Sequence, residues 1–150
     1  MAGFITEIAP RPFFKHSIIR VCQEEHINSM EKFLQIDYLS KMLSEYVDTE
    51  RFLGDSGDLV RLIDVLKREV ESNHNTLGSY QKTADRILFY HSFFPETFRK
   101  RLVNVKFYAK AARIFYRLVS SYHAPVCGYL SQEYSLWNCV LRTVKARYMF

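Results

Sequence analysis

The chain has 150 residues, 48% hydrophobic and 25% charged, as is typical of one ordinary globular domain. Its five glycines and four prolines are too few for the frequent turns of a β-sandwich, so we expect an all-α fold. No apolar run approaches the roughly 18 residues of a membrane-spanning helix, and no signal peptide is evident. The three cysteines form no C-x-x-C pair, which argues against a disulfide framework or zinc site and favours a cytoplasmic location.

The first predicted elements are an N-terminal arm over residues 1–12 and a helix that starts at Phe13 and fades near His26. The arm precedes a single compact, bundle-like domain of five or six helices over residues 13–150, and this helix is the first of that domain. Helical spacing gives the first helix one apolar face, made of Phe14, Ile18, Val21 and Cys22. A long second helix is predicted from Phe33 almost to Asp48, with a break near Ile36.

Two amphipathic helices are predicted in the middle of the chain. The first follows a turn at Gly54–Asp58 and carries Leu59, Leu62, Ile63, Leu66 and Val70 at helical spacing. The next runs from about Leu77 to Phe93, and its core face carries Tyr80, Ala84, Ile87, Leu88 and His91. Pro95 disfavours a helical Phe94 and is expected to start a further turn through Phe98.

The last two predicted helices are rich in aromatic residues. Asn104 is the expected N-cap of the fifth, which Pro125 and Gly128 close and whose apolar face comprises Phe107, Tyr108, Ala111, Ala112, Phe115, Leu118, Val119 and Tyr122. Ser131 opens a terminal helix with heptad-like spacing of Tyr134, Trp137, Leu141, Val144 and Tyr148. We predict that the following side chains are largely buried: Leu62, Ile63, Leu88, Phe107, Ala111, Phe115 and Trp137.

Charge is divided unevenly along the sequence. Residues 1–75 carry 9 Lys/Arg and 13 Asp/Glu, whereas residues 76–150 carry 12 and 3, so the halves have net charges of −4 and +9. Within the basic half, one set of cations recurs at i, i+4, i+7 and i+11 and should share one face of the fifth helix. We call this set the basic stripe; its members are Lys106, Lys110, Arg113 and Arg117.

The run Thr83–Glu96, followed downstream by Lys106-Phe107-Tyr108 and Phe115–Leu118, resembles a family of uncharacterised bacterial all-helical proteins. Members of that family carry a Gly-Asp pair, an apolar stretch ending in Gly-Phe-Phe, and an aromatic pair on later helices. Here Ala84 precedes Asp85, and Ser92 precedes Phe93-Phe94. The likeness covers roughly residues 14–144, and it implies a cytoplasmic helical protein without a known activity or transferable site residues.

No catalytic, cofactor-binding or metal-binding constellation is evident in the sequence. There is no glycine-rich phosphate loop, and no two histidines stand at i and i+3 or i+4, so we expect neither a cofactor nor a metal. Asp85 and His91 fall on different faces of their helix, and a buried Asp85 is expected to pair with an arginine of a neighbouring helix. Cys127 is expected in a loop near His123, while Cys22 and Cys139 are expected in the core. The sequence therefore predicts a protein that is not an enzyme.

Three kinds of binding role remain open. The favoured role is a non-catalytic interaction or regulatory protein that forms a homodimer through the terminal helix, with candidate interface residues Tyr134, Trp137, Leu141 and Tyr148. The second is a nucleic-acid-binding protein in which the basic stripe and Arg99, Lys100 and Arg101 contact phosphates, and Tyr116 or Phe98 stacks on bases. The third is a small ligand held between helices. Alternatively, the acidic helices neutralise the stripe within the monomer.

Overall fold

The computed structural model describes residues 10–53, 67–68, 70–71, 77–100, 104–121 and 124–149. This part of the chain is helical throughout its regular structure and contains no strand, which confirms the predicted all-α class. The helices are α1 (Pro10–Glu24), α2 (Phe33–Leu53), α3 (Leu77–Phe93), α4 (Glu96–Lys100), α5 (Val105–Ser120), α6 (Pro125–Gln132) and α7 (Tyr134–Tyr148). Most of the helix predicted at Leu59–Val70, including Leu62 and Ile63, lies outside the described residues.

The first helix begins at Pro10, so the predicted start at Phe13 is wrong. Proline is accommodated in the first helical turn because the N–H it lacks has no intrahelical acceptor there. At the other end, His26 has a left-handed backbone with φ of 59°. The amide of Ile27 donates to the Cys22 carbonyl at 2.8 Å and that of His26 to the Gln23 carbonyl at 3.3 Å, the two bonds of a Schellman motif. The predicted end near His26 is confirmed.

The second helix runs unbroken to Leu53, so the predicted break near Ile36 and the predicted end near Asp48 are both wrong. The amide of Ile36 donates to the Lys32 carbonyl at 3.0 Å, as in regular helix. Ahead of the helix, the side chain of Asn28 accepts hydrogen bonds from the backbone of Met30 and Glu31, which supports the turn between α1 and α2.

Over residues 77–100 and 104–120 the helix boundaries follow the prediction closely. The third helix has the predicted bounds, Pro95 precedes the short α4, and the Asn104 side chain caps α5 by accepting from the Lys106 amide at 3.0 Å. Two members of the predicted apolar face of α5 are instead exposed, Phe107 by 49% and Leu118 by 39%. The predicted apolar face included too many residues, because α3 and α6 cover only part of the circumference of α5.

The end of the chain differs from the prediction in its boundaries. Pro125 opens α6 at its first turn rather than closing the preceding helix, and Gly128 lies within α6. The terminal helix then starts at Tyr134, three residues after the predicted Ser131. A Cβ atom on Gly128 would lie 3.3 Å from the Ser120 hydroxyl, so this glycine allows α6 to approach α5 closely.

The core is formed largely by α7 packed on α1 and α3, by α1 packed on α2, and by α3 packed on α5. Leu88 and Trp137 are fully enclosed, and Ala111 is buried, as predicted. Phe115 is only partly buried, and the half-exposed Phe107 contradicts its predicted burial. The largest enclosed side chains are Trp137, Tyr108, Tyr116, Phe14, Phe89, Phe93 and Phe98, so aromatic rings fill much of the interior.

Candidate functional site

The basic stripe lines a groove of about 780 Å³ on the outer side of α5. Its four cations are exposed, and regular helix geometry places them within a sector of about 60°. The stripe forms one wall of the groove, and residues of α6, the first turns of α7 and His91 form the other. The structure therefore brings the four cations together beside a concave surface.

Reciprocal hydrogen bonds between α5 and α6 fix the geometry of this groove. The Nε of Arg113 donates to the carbonyl of Ser131 at 3.1 Å, and the hydroxyl of Ser131 donates to the carbonyl of Arg113 at 2.7 Å. Arg113 is therefore held by its hydrogen bond to α6. Lys106, Lys110 and Arg117 extend from the same wall of the groove. The close approach at Gly128 and Ser120 narrows the distal end of the groove.

The opposite wall carries neutral polar groups. His91 Nδ1 lies 2.9 Å from the Tyr134 hydroxyl, and burial, reinforced by the charge of Arg142, lowers the pKa of His91 to about 4. Burial raises the pKa of Tyr134, so it remains a phenol. The Tyr134 hydroxyl and Nδ1 share this hydrogen bond, with the donor set by the tautomer of the neutral ring. His91 is thus an uncharged hydrogen-bonding group at the groove.

Several carboxylates of the described residues are paired with cations outside the stripe. Asp37 pairs with Arg11 and Lys15, at 3.0 and 3.7 Å. Glu133 lies 2.8 Å from Lys32, and the pKa of its carboxyl is lowered because hydrogen bonds from Lys32, Trp137 and Gln35 outweigh its partial burial. Another such pair joins Glu24 to Arg147.

No stripe cation forms an ion pair with a carboxylate in the part of the chain that the structure describes. The groove lining also contains no described Asp or Glu. Within the described residues, neutralisation of the stripe inside the monomer is therefore not observed.

Of the other residues predicted to contact phosphates, the one whose side chain the structure describes, Arg99, does not line the groove. Arg99 is exposed on α4, while the Lys100 side chain and Arg101 lie outside what the structure describes. Tyr116 and Phe98 are fully buried, so the prediction that either stacks on bases is wrong. The exposed ring nearest to the stripe in sequence is Phe107, about 100° around α5 from Lys106.

The predicted dimer surface on the terminal helix is not exposed. Tyr134, Trp137 and Leu141 are all buried in the core, and Tyr148 is partly buried with its hydroxyl donating to Glu24. Their heptad-like spacing reflects packing of α7 on its own domain. Exposed apolar side chains instead cluster where α2 begins, at Met30, Phe33 and Leu34.

A second polar cluster lies between α2, α3 and α5. Asp85 Oδ1 accepts hydrogen bonds from the hydroxyls of Tyr38 at 2.8 Å and Tyr116 at 2.7 Å, and Gln81 donates to Tyr38 at 2.9 Å. Burial raises the pKa of Asp85 to about 7, although both phenols favour its ionised form. Its partners on the neighbouring helices are thus tyrosines, and the predicted arginine partner is not found among the described residues. Its separation from His91 is confirmed.

The two buried cysteines are not activated thiols. Cys127 lies within α6 rather than in a loop, and burial raises its pKa to about 11; burial does the same for Cys22. Cys22 is in the core as predicted, but Cys139 is exposed, which contradicts its predicted burial. A raised pKa disfavours the thiolate that a nucleophile requires, so neither buried cysteine is suited to covalent catalysis.

The sequence matches no protein-family model, and no curated protein or solved structure gives a match either. The resemblance to the uncharacterised bacterial family therefore stays a prediction. Among the described residues, no three His, Cys, Asp or Glu side chains are grouped to hold a metal ion. No described helix is both long and apolar enough to cross a membrane.

Proposed function

We propose that this protein is a non-catalytic, cytoplasmic binding protein whose basic groove holds a single strand of nucleic acid. The observation that supports this proposal is the groove lining, which combines the four stripe cations with no described carboxylate. Phosphate contacts supply most of the affinity of sequence-independent nucleic-acid binding, and clustered Lys and Arg are their usual source.

The shape of the groove favours a strand over a duplex. The stripe covers twelve helical residues from Lys106 to Arg117, whose eleven steps of 1.5 Å give a length of about 16 Å. A concave site beside a single helix suits one phosphate backbone, whereas a duplex presents a wide convex surface. The uncharged His91 on the opposite wall adds a hydrogen-bonding group that suits a sugar or a base edge.

The salt dependence of binding tests this proposal. Each phosphate contact to a single strand contributes about −0.7 to the slope of log K against log salt concentration, so four contacts give about −3. Fluorescence anisotropy with labelled single-stranded RNA and DNA oligonucleotides, from about 50 to 200 mM salt, measures that slope. In the triple variant Lys106→Ala, Lys110→Ala, Arg117→Ala, the slope should fall by about 2. Arg113 is retained because it joins α5 to α6.

A charge-matched variant provides the control. Arg20→Ala, Lys67→Ala, Arg68→Ala removes three exposed cations outside the groove and changes the net charge equally. We expect it to retain most of the slope of the wild type. An equal loss of slope in both triple variants would indicate a general charge effect. The proposal would be refuted if the wild-type protein showed no salt-sensitive binding to any single strand. Competition by a mononucleotide at low concentration would favour a small nucleotide ligand over a strand.

Self-association is a second proposal, now through a different surface. Met30 is 87% exposed and lies three and four residues before the exposed Phe33 and Leu34, and exposed apolar side chains grouped in this way are typical of protein interfaces. Light scattering over a range of protein concentrations should show a homodimer that Met30→Ser combined with Leu34→Ser dissociates. A monomeric mass for the wild type at high micromolar concentration, at both low and high salt, would exclude this dimer.

A further inference from the structure

A second pocket, of about 510 Å³, lies between α2 and α3 on a different side of α3 from His91. Asp85 is part of its wall, beside Tyr38, Tyr46 and Gln81. The hydrogen bonds from Tyr38 and Tyr116 both end on Oδ1, so this oxygen is held by two helices other than its own. The pocket therefore contains a carboxyl group in a fixed orientation, which the proposed nucleic-acid function does not use.

The surroundings of Asp85 suit a positively charged ligand. Glu45 is the charged residue that acts on Asp85, and its negative charge adds to the effect of burial in raising the Asp85 pKa. Three cations also line the pocket: Lys41 and Lys82 are exposed, so solvent screens their charges, and the partly buried Arg86 donates a hydrogen bond to Tyr46. The rings of Tyr38 and Tyr46 line the same space, and aromatic faces attract cations.

We propose that the pocket between α2 and α3 is a second binding site, which takes a small organic ammonium ion that pairs with the carboxylate of Asp85. An unpaired buried carboxylate is costly, and a cation that binds beside it removes that cost. The phenols of Tyr38 and Tyr116 remain on Oδ1 and orient the carboxylate toward the ligand. The site is independent of the basic groove and of the function proposed for it.

Binding of an ammonium ion should release a proton from Asp85 below neutral pH. With a pKa of about 7, the carboxyl is roughly 90% protonated near pH 6, and the ligand favours the ionised form. Tyr38, Tyr46, Tyr116 and Cys127 also face this region, but their pKa values are raised, mainly by burial, so they keep their protons. The other charged groups at the pocket are Glu45 on α2 with Lys41, and Lys82 and Arg86 on α3.

Titration calorimetry with 2-phenylethylammonium and the neutral 2-phenylethanol tests the site. The two probes have similar shapes, so their difference reports the charge. At pH about 8.5 we expect the wild type to bind the ammonium at least about tenfold more tightly than the neutral alcohol. A tenfold ratio of affinities corresponds to 1.4 kcal/mol. Asp85→Asn should remove this preference. Asp37→Asn, at an exposed carboxylate paired with Arg11, is the matched control and should retain it.

The wild type alone provides a test that does not depend on folding of the variant. Near pH 6, calorimetry in buffers of different ionisation enthalpy should show release of about 0.9 proton per ammonium bound, and near pH 8.5 almost none. Binding without proton release near pH 6 would overturn the proposal. Equal affinity for the two probes, no binding of the ammonium, or a preference that survives Asp85→Asn would overturn it as well.

Discussion

Replacing Asp85 with Asn should change how stability depends on pH. The asparagine Oδ1 can still accept hydrogen bonds from Tyr38 and Tyr116, but the side chain no longer titrates. In the wild type, the pKa of Asp85 is about 7 in the folded state and near the ordinary aspartate value of 3.8 in the unfolded state. The substitution therefore isolates the contribution of one carboxyl group.

The sign of that contribution follows from the raised pKa. Between about pH 4 and 7 the folded state binds more protons at Asp85 than the unfolded state, so its contribution to stability is fully present at low pH and is lost as pH rises to about 7. Three pKa units at 1.36 kcal/mol each correspond to a loss on the order of 4 kcal/mol, which is an upper figure because the residue is partly exposed. Relative to the wild type, Asp85→Asn should become progressively more stable across this interval.

Comparison of the two proteins is necessary because His91 titrates in the same interval with the opposite sign. Its pKa of about 4 lies below the unfolded value, so its contribution is present above about pH 6.5 and is lost as pH falls. The unfolding free energy of the wild type alone should therefore depend only weakly on pH. Urea unfolding at several pH values, monitored by circular dichroism, gives the difference in unfolding free energy. If the difference in unfolding free energy between the two proteins stays constant from pH about 4 to 8, the raised pKa of Asp85 is refuted.

Four further predictions concern stability and reactivity. Leu88→Ala should lower the unfolding free energy by about 2–5 kcal/mol because its side chain is fully buried. Gly78→Ala should stabilise α3 by about 0.5–1 kcal/mol in denaturant titration, whereas Gly128→Ala should gain less because its Cβ would press on α5. His26→Gly should raise the melting temperature by relieving a positive φ. A thiol reagent should modify Cys139 rapidly and the two buried cysteines slowly; equal rates would contradict their burial.

The helices that the sequence predicted best carry strong local signals. For α3, an amphipathic pattern is followed by Pro95, and for α5 the cap at Asn104 is a local hydrogen bond, so neighbours in sequence determine both. Pro125 was misassigned because proline suits both the end of one helix and the first turn of the next. Only the packing of α6 against α5 decides which of these two positions Pro125 takes. That packing is not determined by the neighbours of Pro125 in sequence.

The Asp85 cluster could not be predicted for a related reason. Its hydrogen-bond partners lie 47 residues before it and 31 residues after it, and the hydrophobic pattern does not indicate which tyrosines turn inward. Each tyrosine can supply either an apolar ring to the core or a hydroxyl to a polar partner. The sequence indicated that a buried Asp85 needs a partner, because an isolated buried charge is costly, and an arginine was predicted where the structure has two tyrosines.

The basic stripe was predictable, yet its meaning depends on what covers the rest of α5. Tyr108, Ala112 and Val119 face the core, and the close contact of Ser120 with Gly128 places α6 beside the stripe. A stripe on a fully solvated face would be only the polar side of an amphipathic helix. Because α6 stands next to it and Ser131 holds Arg113, the same charges line a groove. The proposed binding of an anionic strand depends on this adjacent wall, which periodicity within one helix does not reveal.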